Sequence, residues 1–507
     1  MTPSRNQGVD ALLIAAVFGL GIAALHLVSA AAGYPFFRDQ HLGTAIEYAR
    51  HGVGLLSPRI VGFTATDTPV PQELPVWQAL AGLALRIGGG GWGWANAVSL
   101  LLFFAMLGPF YALVRNWTTP RVAAWSLAFL LAQPIVILYA GVAGTDGWSL
   151  VVCVGFLFCA DRMLTSGRWG WCVAAAFFAT LAAVTKAPFF FAAGITSALM
   201  LWDRKRRSLS AWGMLVGVGL FAFLVLLLWT KHGDRQLARA EFLYVDLRLS
   251  NPAMQRWYFG DWAYRLNPFN WAKGGWMALN SLFGSFALAA FFLWGLLFLR
   301  TRLGGFLLAG NAVALLIFSH LVLVHRHYYL MFAPAVAVLG AAAAGELLER
   351  LGEKSVARRR GGSLLLMGIL LLSAIQGFLG IEAVLNYDPY PRQIAEILRR
   401  FSRPDEKLLV VGGGWGGDLF LRSDRRGLSL HDTKPLADPA QFARLRELGY
   451  RKLVMVSESP LLHALQVTNP GDARRVRASY RALLTEPAAS WPSLLETPDL
   501  VIKELPR

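Results

Sequence analysis

The chain is poor in charge. Only 16% of its 507 residues are Asp, Glu, Lys or Arg, and 55% are hydrophobic. A soluble domain carries about 25% charged residues, so this composition excludes an ordinary soluble globular protein. The chain belongs by composition to the membrane proteins.

Cysteine and acidic residues are also scarce. The three cysteines, Cys153, Cys159 and Cys172, all lie in apolar stretches. Their spacing provides neither a disulfide framework nor a zinc site, so we expect them to behave as small hydrophobic residues. Asp and Glu number 31 against 48 Lys and Arg, which gives a net charge of +17. The basic residues fall in short loops, which indicates membrane orientation and no nucleic-acid partner.

What the chain has instead is a series of long apolar runs. A bilayer core of about 30 Å is crossed by roughly 20 helical residues. The first run follows Arg5, as in a signal peptide, but it is too long for one and lacks a clear cleavage site, so we predict a retained span. Eleven transmembrane segments are predicted in all, at 11–33, 93–114, 121–141, 147–161, 169–185, 188–202, 210–230, 276–299, 304–324, 328–348 and 362–384.

Basic loops orient these segments. The strongest mark is the run DRKRR at 203–207, because cytoplasmic loops collect Lys and Arg. Alternation from this loop also places further basic positions in the cytoplasm, namely Arg5, Arg115, Arg121, Arg162, Arg168, Arg300, Arg302 and residues 350–360. The opposite side receives the loops 34–92 and 231–275, the turns at 142–146, Lys186 and 325–327, and everything after about residue 385. We therefore predict a multi-pass protein of the inner (plasma) membrane with a cytoplasmic N-terminus and an extracytoplasmic C-terminal domain.

Acidic residues collect on that outer side. Asp39 follows the first span in FFRDQHLGTAIEYARHG (36–52), and Glu47 lies two helical turns beyond it, on the same face if the helix begins early enough. Glu73 lies among prolines in TPVPQELPVWQALAGLALRI (68–87). This run is amphipathic but too short to span, so it predicts an interfacial helix. The alternative for Glu73 is a solvated loop acid.

Two further charges lie at the ends of predicted spans. Asp146, in AGVAGTDGWSL, is either the N-cap of a helix or a second acid of the same site. Lys186, in TKAP, separates two apolar segments. A lysine at membrane depth is costly and is a candidate functional residue, although its side chain also has the reach to extend to the interface.

The segment HRHYYLMFAPA (325–335) joins histidine, arginine and tyrosine at the outer end of a span. Arg326 and His327 suit a phosphate group, whereas Tyr328 has the alternative of an interfacial aromatic belt. A metal site is less favoured because the acids that would complete it are distant in sequence. The question of a divalent metal stays open.

The C-terminal residues have a soluble pattern. Strands are predicted at 407–411, 427–432 and 451–457, and helices at 391–401 and 438–448. This alternation indicates a small α/β domain with a parallel sheet over 386–507, after a transmembrane domain over 1–385. The turn GGGWGGD satisfies G-x-G-x-x-G through Gly412, Gly414 and Gly417, with Asp432 farther on. A dinucleotide site is one interpretation, and a structural or acceptor-binding turn is the one we prefer.

The order of these features resembles the GT-C membrane glycosyltransferases, in the branch of the protein O-mannosyltransferases and the lipid A aminoarabinose transferases. The resemblance covers about residues 10–385. It rests on an acid after the first span (Asp39), ELPVWQAL, an acid opening a later span (Asp146), TKAP and HRHYYL. Two departures are the pair Asp39-Gln40, where the family often has Asp-Glu, and Gln72-Glu73-Leu74-Pro75, where some members have Lys-Pro-Pro.

This resemblance implies a polytopic α-helical fold of the GT-C type and transfer of a sugar from a polyprenyl-phosphate donor to a hydroxyl acceptor on a protein, lipid or glycan. Asp39 and Asp146 would be catalytic, with Asp39 as base. Lys186, Arg326, His327 and Tyr328 would bind the donor phosphate, and Glu73 and Glu47 would orient the acceptor. A membrane transporter or flippase of a lipid-linked substrate is the alternative, although we find no internal repeat. A scaffold that has lost activity is a further one.

Overall fold

The computed structural model describes residues 9–32, 36–66, 68–203, 208–298, 301–385, 390–412, 417–430, 433–456, 478, 488–497 and 500–506. The basic positions Arg5, Arg300 and 204–207, used above for orientation, lie outside these residues. The chain forms two compact units. The first comprises Met1–Phe37, Glu73–Thr230 and Pro252–Asn386, and the second comprises Arg38–Gln72, Lys231–Asn251 and Tyr387–Arg507.

Helices dominate the described residues. The first ten are α1 (Val9–Ala31), α2 (Asp39–His51), α3 (Val76–Ile87), α4 (Gly93–Trp117), α5 (Pro120–Leu131), α6 (Pro134–Tyr139), α7 (Thr145–Ser166), α8 (Trp169–Thr185), α9 (Ala187–Asp203) and α10 (Leu209–Leu237). The next eight are α11 (Pro252–Phe259), α12 (Trp262–Leu266), α13 (Pro268–Ala278), α14 (Phe286–Phe298), α15 (Arg302–Ile317), α16 (Ser319–Val324), α17 (Ala333–Lys354) and α18 (Val356–Leu385). The C-terminal ones are α19 (Tyr390–Phe401), α20 (Gly417–Ser423), α21 (Lys434–Ala437) and α22 (Pro439–Glu447).

Several of these helices are long and apolar enough to cross a membrane. Among the described residues these are α1, α4, α7, α10 and the segment Arg326–Lys354, which joins a 3₁₀ turn to α17. A sixth span results if α13 and α14, which meet at 98°, are counted as one. Further apolar helices of 10–17 residues, such as α8 and α9, coincide with other predicted segments. The total of eleven spans stays a prediction.

Three predicted spans are broken rather than continuous. The segment predicted at 121–141 divides before Pro134, because proline disfavours helical backbone in the residue that precedes it. The segment at 276–299 passes through a π-helical turn and bends after Gly284, whose φ of 65° requires glycine. The segment at 304–324 is interrupted at Phe318.

The C-terminal sheet has five strands, β1 (Lys407–Val411), β2 (Arg426–Leu430), β3 (Tyr450–Val456), β4 (Ser493–Glu496) and β5 (Leu500–Glu504), in the order β2-β1-β3-β5-β4. The predicted small sheet is confirmed, and β1, β2 and β3 are parallel as expected. The sheet is mixed, however, because β5 and β4 add to it antiparallel. Both faces of β1 are buried: Leu408 and Val410 pack with α19 and α20, and Leu409 packs with residues of α22.

Two segments that we assigned from sequence to the domain 1–385 are grouped by their contacts with the C-terminal strands instead. In the segment Arg38–Gln72, Gly62 bridges Leu428 of the edge strand β2, and Ser429 donates its N–H to the Gly62 carbonyl at 2.8 Å. In Lys231–Asn251, Glu241 pairs with Arg444 at 2.8 Å. The physical reason is that an edge strand leaves unpaired N–H and C=O groups, which the segment around Gly62 satisfies.

Close packing in the first unit depends on small residues. On α15, a side chain at Gly310 would place its Cβ 2.3 Å from Thr196 Oγ1 and 2.4 Å from the Ala192 carbonyl oxygen, both on α9. On the same helix, Gly305 faces open space. Small residues at such contacts let two apolar helices approach closely.

Substitution Gly310→Ala should therefore lower the thermal unfolding midpoint of the detergent-solubilised protein by several degrees. The matched variant Gly305→Ala should leave the midpoint unchanged or raise it slightly, because alanine is the better helix former by about 1 kcal/mol. Equal midpoints for the two variants would show that the contact between α15 and α9 is not close in solution.

Candidate active site

A buried cluster of charges lies in the first unit, where α7 begins and α8 gives way to α9. Lys186 Nζ lies 2.9 Å from Asp146 Oδ1 and 3.6 Å from Glu73 Oε1. The side chains of Lys186 and Asp146 are 4% and 0% exposed. Because ions are expensive to bury, such a pair persists only with close geometry and further hydrogen bonds. Three of the residues singled out from the sequence thus meet in one place.

The local fold explains how these side chains are held. Lys186 has extended backbone at the break between two helices, and its N–H caps α8 by donating to the Ala182 carbonyl. The segment of Glu73 is fixed by the Leu74 N–H, which donates to the Val184 carbonyl at 2.9 Å. The Glu73 carboxylate also accepts a hydrogen bond of 2.7 Å from the Thr145 hydroxyl.

Three alternatives raised from the sequence do not describe these residues. The N-cap position of α7 is Gly144, with no side-chain cap, and Asp146 lies inside the first turn, where it pairs with Lys186. Lys186 points into the cluster and does not extend to solvent. Glu73 is 18% exposed and hydrogen-bonded, so it differs from a freely solvated loop acid.

Two residues of the HRHYYL segment lie against the same cluster. His327 and Tyr328 lie on the 3₁₀ turn Arg326–Phe332. His327 Nε2 is 3.9 Å from Asp146 Oδ1, and Lys186 Nζ is 5.0 Å from the centroid of the Tyr328 ring, within cation–π distance. Arg326 precedes them, and its Nη1 is buried without a hydrogen-bond partner among the described residues.

Some neighbours of the cluster were missed from the sequence. Thr145 holds Glu73, and its place directly before Asp146 was the available signal. Tyr258, on α11, lies near Tyr328 and Glu73, and burial together with these groups raises its pKa above the usual tyrosine value. The sequence carried no signal for Tyr258, because it comes from the separate loop 231–275.

Asp39 and Glu47 belong to the second unit, on α2. A Cβ on Gly417 would lie 3.1 Å from Asp39 Oδ2, closer than an ordinary van der Waals contact, so glycine favours this close approach. Burial and the negative charge of Asp39 raise the pKa of Tyr244 to about 12. Glu47, two turns along the helix, lies 3.8 Å from His51 Nε2 and borders a cavity of about 210 Å³.

The glycine-rich turn can now be described in part. Gly412 follows β1 with a φ of 87°, and Gly417 begins α20 against Asp39. Gly414 and Asp432 lie outside the described residues. The close approach to a carboxylate accounts for Gly417 without a dinucleotide. Among the described residues, no group of three or more His, Cys, Asp or Glu side chains is arranged to hold a metal ion.

The fold is similar to those of two solved enzymes of the GT-C superfamily, in line with the predicted resemblance. It is similar to the crystal structure of ArnT from Cupriavidus metallidurans bound to undecaprenyl phosphate, with a TM-score of 0.61, 14% identity, and coverage of 98% of this chain and 97% of that one. ArnT is a lipid A aminoarabinose transferase. Its apo state gives a TM-score of 0.57 at 15% identity, over 96% and 97% of the two chains.

A second similar structure is the Archaeoglobus fulgidus oligosaccharyltransferase in complex with Zn and sulfate. It has a TM-score of 0.55 and 14% identity, over 92% of this chain and 70% of that one. No family model matches the chain, and no curated protein matches it. The apolar helices and these membrane-embedded neighbours agree on a multi-pass membrane protein.

The ion pair at the centre of the cluster has a measurable consequence. Lys186→Met leaves Asp146 buried without its counter-ion and should destabilise the protein by about 3–5 kcal/mol. Adding Asp146→Asn removes the stranded charge, so the double variant should be more stable than the sum of the single effects predicts. Thermal unfolding of the four proteins measures this coupling.

The control is Lys273→Met, because Lys273 is exposed in the same unit. Its unfolding midpoint should match that of the wild type. A coupling between Lys186 and Asp146 of zero within error would show that the two side chains do not form an ion pair in solution.

Proposed function

We propose that this protein is a glycosyltransferase that moves a sugar from a polyprenyl-phosphate donor to an acceptor hydroxyl at the outer face of the membrane. The observation that carries the proposal is the buried cluster of Lys186, Asp146 and Glu73, bordered by His327 next to Arg326 in the sequence, in a chain with this fold over nearly its whole length. The similar ArnT structure is bound to undecaprenyl phosphate, which supports the same class of lipid here.

The chemistry is a single displacement at the anomeric carbon. The bond from that carbon to the phosphate oxygen breaks, and its electron pair leaves with the polyprenyl phosphate. The acceptor oxygen forms the new bond from the opposite face, so the anomeric configuration inverts through an oxocarbenium-like state. Phosphate is a good leaving group and needs little protonation. The reaction therefore needs one base for the acceptor proton and cations for the departing phosphate.

Arg326 is the main phosphate-binding residue in this proposal. The single ammonium of Lys186 faces two carboxylates, so these three side chains together carry one net negative charge. Arg326, which precedes His327 on the same 3₁₀ turn, adds a positive charge, and its buried Nη1 has no hydrogen-bond partner within the part of the chain that the structure describes. A guanidinium presents donors in a planar arrangement suited to phosphate oxygens. His327 and Tyr328 provide further donors next to it, and Lys186 contributes to the same electrostatic field.

Asp39 is the proposed base that takes the acceptor proton. Its support comes from the sequence: the resemblance expects an acid just after the first span, and Asp39 is that acid. Asp146, fixed by Lys186, is proposed to position the reacting groups. Glu73 and Glu47 are proposed to orient the acceptor.

Replacement of the base tests this assignment. With a polyprenyl-phosphate sugar as donor, Asp39→Asn should lower kcat by about 10²–10⁴-fold, the usual contribution of a positioned base. Donor affinity should change little, because the amide has nearly the shape of the carboxylate. The measurement is release of polyprenyl phosphate under saturating donor.

Asp424→Asn is the matched control, because Asp424 is an exposed aspartate of the same unit that pairs with Arg50. It should turn over donor at the wild-type rate. Near-wild-type turnover by Asp39→Asn would remove Asp39 as the base.

A further inference from the structure

The second unit contains a cavity of about 210 Å³ at the end of the sheet where the parallel strands begin. Lys407, Arg426 and Tyr450 are the first residues of β1, β2 and β3, and all three line it. The other described residues that line it are Glu47 and His51 of α2, residues 59–62, 64, 65 and 68, and Gly427. Of these residues, Glu47 alone has a role in the proposed transfer reaction.

The lining of this cavity is predominantly cationic. Among the described lining residues, Arg59, Lys407 and Arg426 accompany one carboxylate, Glu47, so the formal charge of these residues is +2 with His51 neutral. A concave surface lined by charges of one sign concentrates counter-ions of the opposite sign. The cavity therefore selects anions, and its charge matches a dianion better than a single carboxylate.

The two arginines are available to a ligand. Arg59 and Arg426 are exposed, and their guanidinium groups make no hydrogen bond or ion pair with any residue in the described ranges. Lys407 is held more firmly, because its Nζ donates to the Leu448 carbonyl at 2.9 Å and lies 5.7 Å from the Tyr450 ring centroid. The cavity thus combines one fixed cation with two that lack a counter-charge.

The cavity wall is tied to the sheet. The Tyr450 hydroxyl donates to the Ala65 carbonyl at 3.0 Å, and the Ser429 N–H donates to the Gly62 carbonyl at 2.8 Å. The Thr44 hydroxyl donates to the Arg59 carbonyl at 2.8 Å, which fixes the backbone that carries Arg59. A ligand would meet a wall that is already ordered, which lowers the entropic cost of binding.

We propose that this cavity is a binding site for a phosphate monoester group, carried either on a lipid headgroup or on a soluble molecule. A phosphate monoester carries a charge of about −1.5 to −2 at pH 7, close to the opposite of the lining charge. Two arginine side chains match the geometry of its oxygens. The site is distinct from the Lys186 cluster, and the proposal stands independently of glycosyl transfer because binding needs no donor.

The test uses the full-length protein in phosphatidylcholine nanodiscs and inorganic phosphate as the probe. Calorimetric titration at constant ionic strength, with chloride as the reference anion, should give saturable binding of phosphate. The double variant Arg59→Gln/Arg426→Gln should bind at least about tenfold more weakly, since charge-assisted hydrogen bonds to phosphate are the strong ones. Arg50→Gln should bind as the wild type does, because Arg50 is exposed, pairs with Asp424 and does not line the cavity.

Competition identifies the source of the phosphate group. If phosphatidic acid in the nanodisc displaces inorganic phosphate and glycerol 3-phosphate does not, the ligand is a lipid headgroup. If glycerol 3-phosphate displaces it and phosphatidic acid does not, the ligand is a soluble molecule. The proposal is overturned if the wild type shows no saturable phosphate binding, or if the double variant binds as tightly as the wild type. Should the double variant unfold, Arg426→Gln alone is judged by the same criteria.

Discussion

The ion pair between Lys186 and Asp146 is the constraint on which the first unit depends. Both side chains are almost completely buried, and their atoms lie 2.9 Å apart. Separating two charges in a medium of low dielectric constant is costly, so the start of α7 and the junction of α8 and α9 must keep their relative position. Glu73, which touches Lys186 and Thr145, extends the same constraint to the segment that leads into α3.

The ion pair also determines the net charge of the candidate active site. A lysine paired with two carboxylates gives rigid geometry and a net negative charge, so in the proposed reaction Arg326 supplies the positive charge that a departing phosphate needs. His327 and Tyr328 lie on the same turn as Arg326 and contact the ion pair through Asp146 and Lys186. The second unit shows the opposite balance, because Arg59 and Arg426 line a cavity without neutralising partners among the described residues. The two units therefore offer anions two chemically different environments.

The sequence predicted which side chains belong to the charged cluster. It did not predict the breaks within the membrane segments or the pairing of segments that are distant in the chain. Buried charge in apolar surroundings singled out Asp146, Lys186 and His327, because such residues are rare unless they have a partner. Hydropathy reports which residues avoid water, so it passed over the breaks at Pro134 and Gly284. Strand β5 pairs antiparallel with the distant strand β3, and the Gly62 segment pairs with β2 from far along the chain; no local pattern encodes such contacts. The cationic cavity was missed for the same reason, since its residues come from five separate segments.

The most direct measurement of the central claim is incubation of the purified wild-type protein with a panel of labelled polyprenyl-phosphate sugars and a mixture of candidate acceptors. We expect at least one donor to be consumed, with one polyprenyl phosphate released for each sugar transferred and with the opposite anomeric configuration in the product. Consumption of nucleotide sugars alone, or movement of an intact lipid-linked sugar across the bilayer with no transfer, would contradict the account.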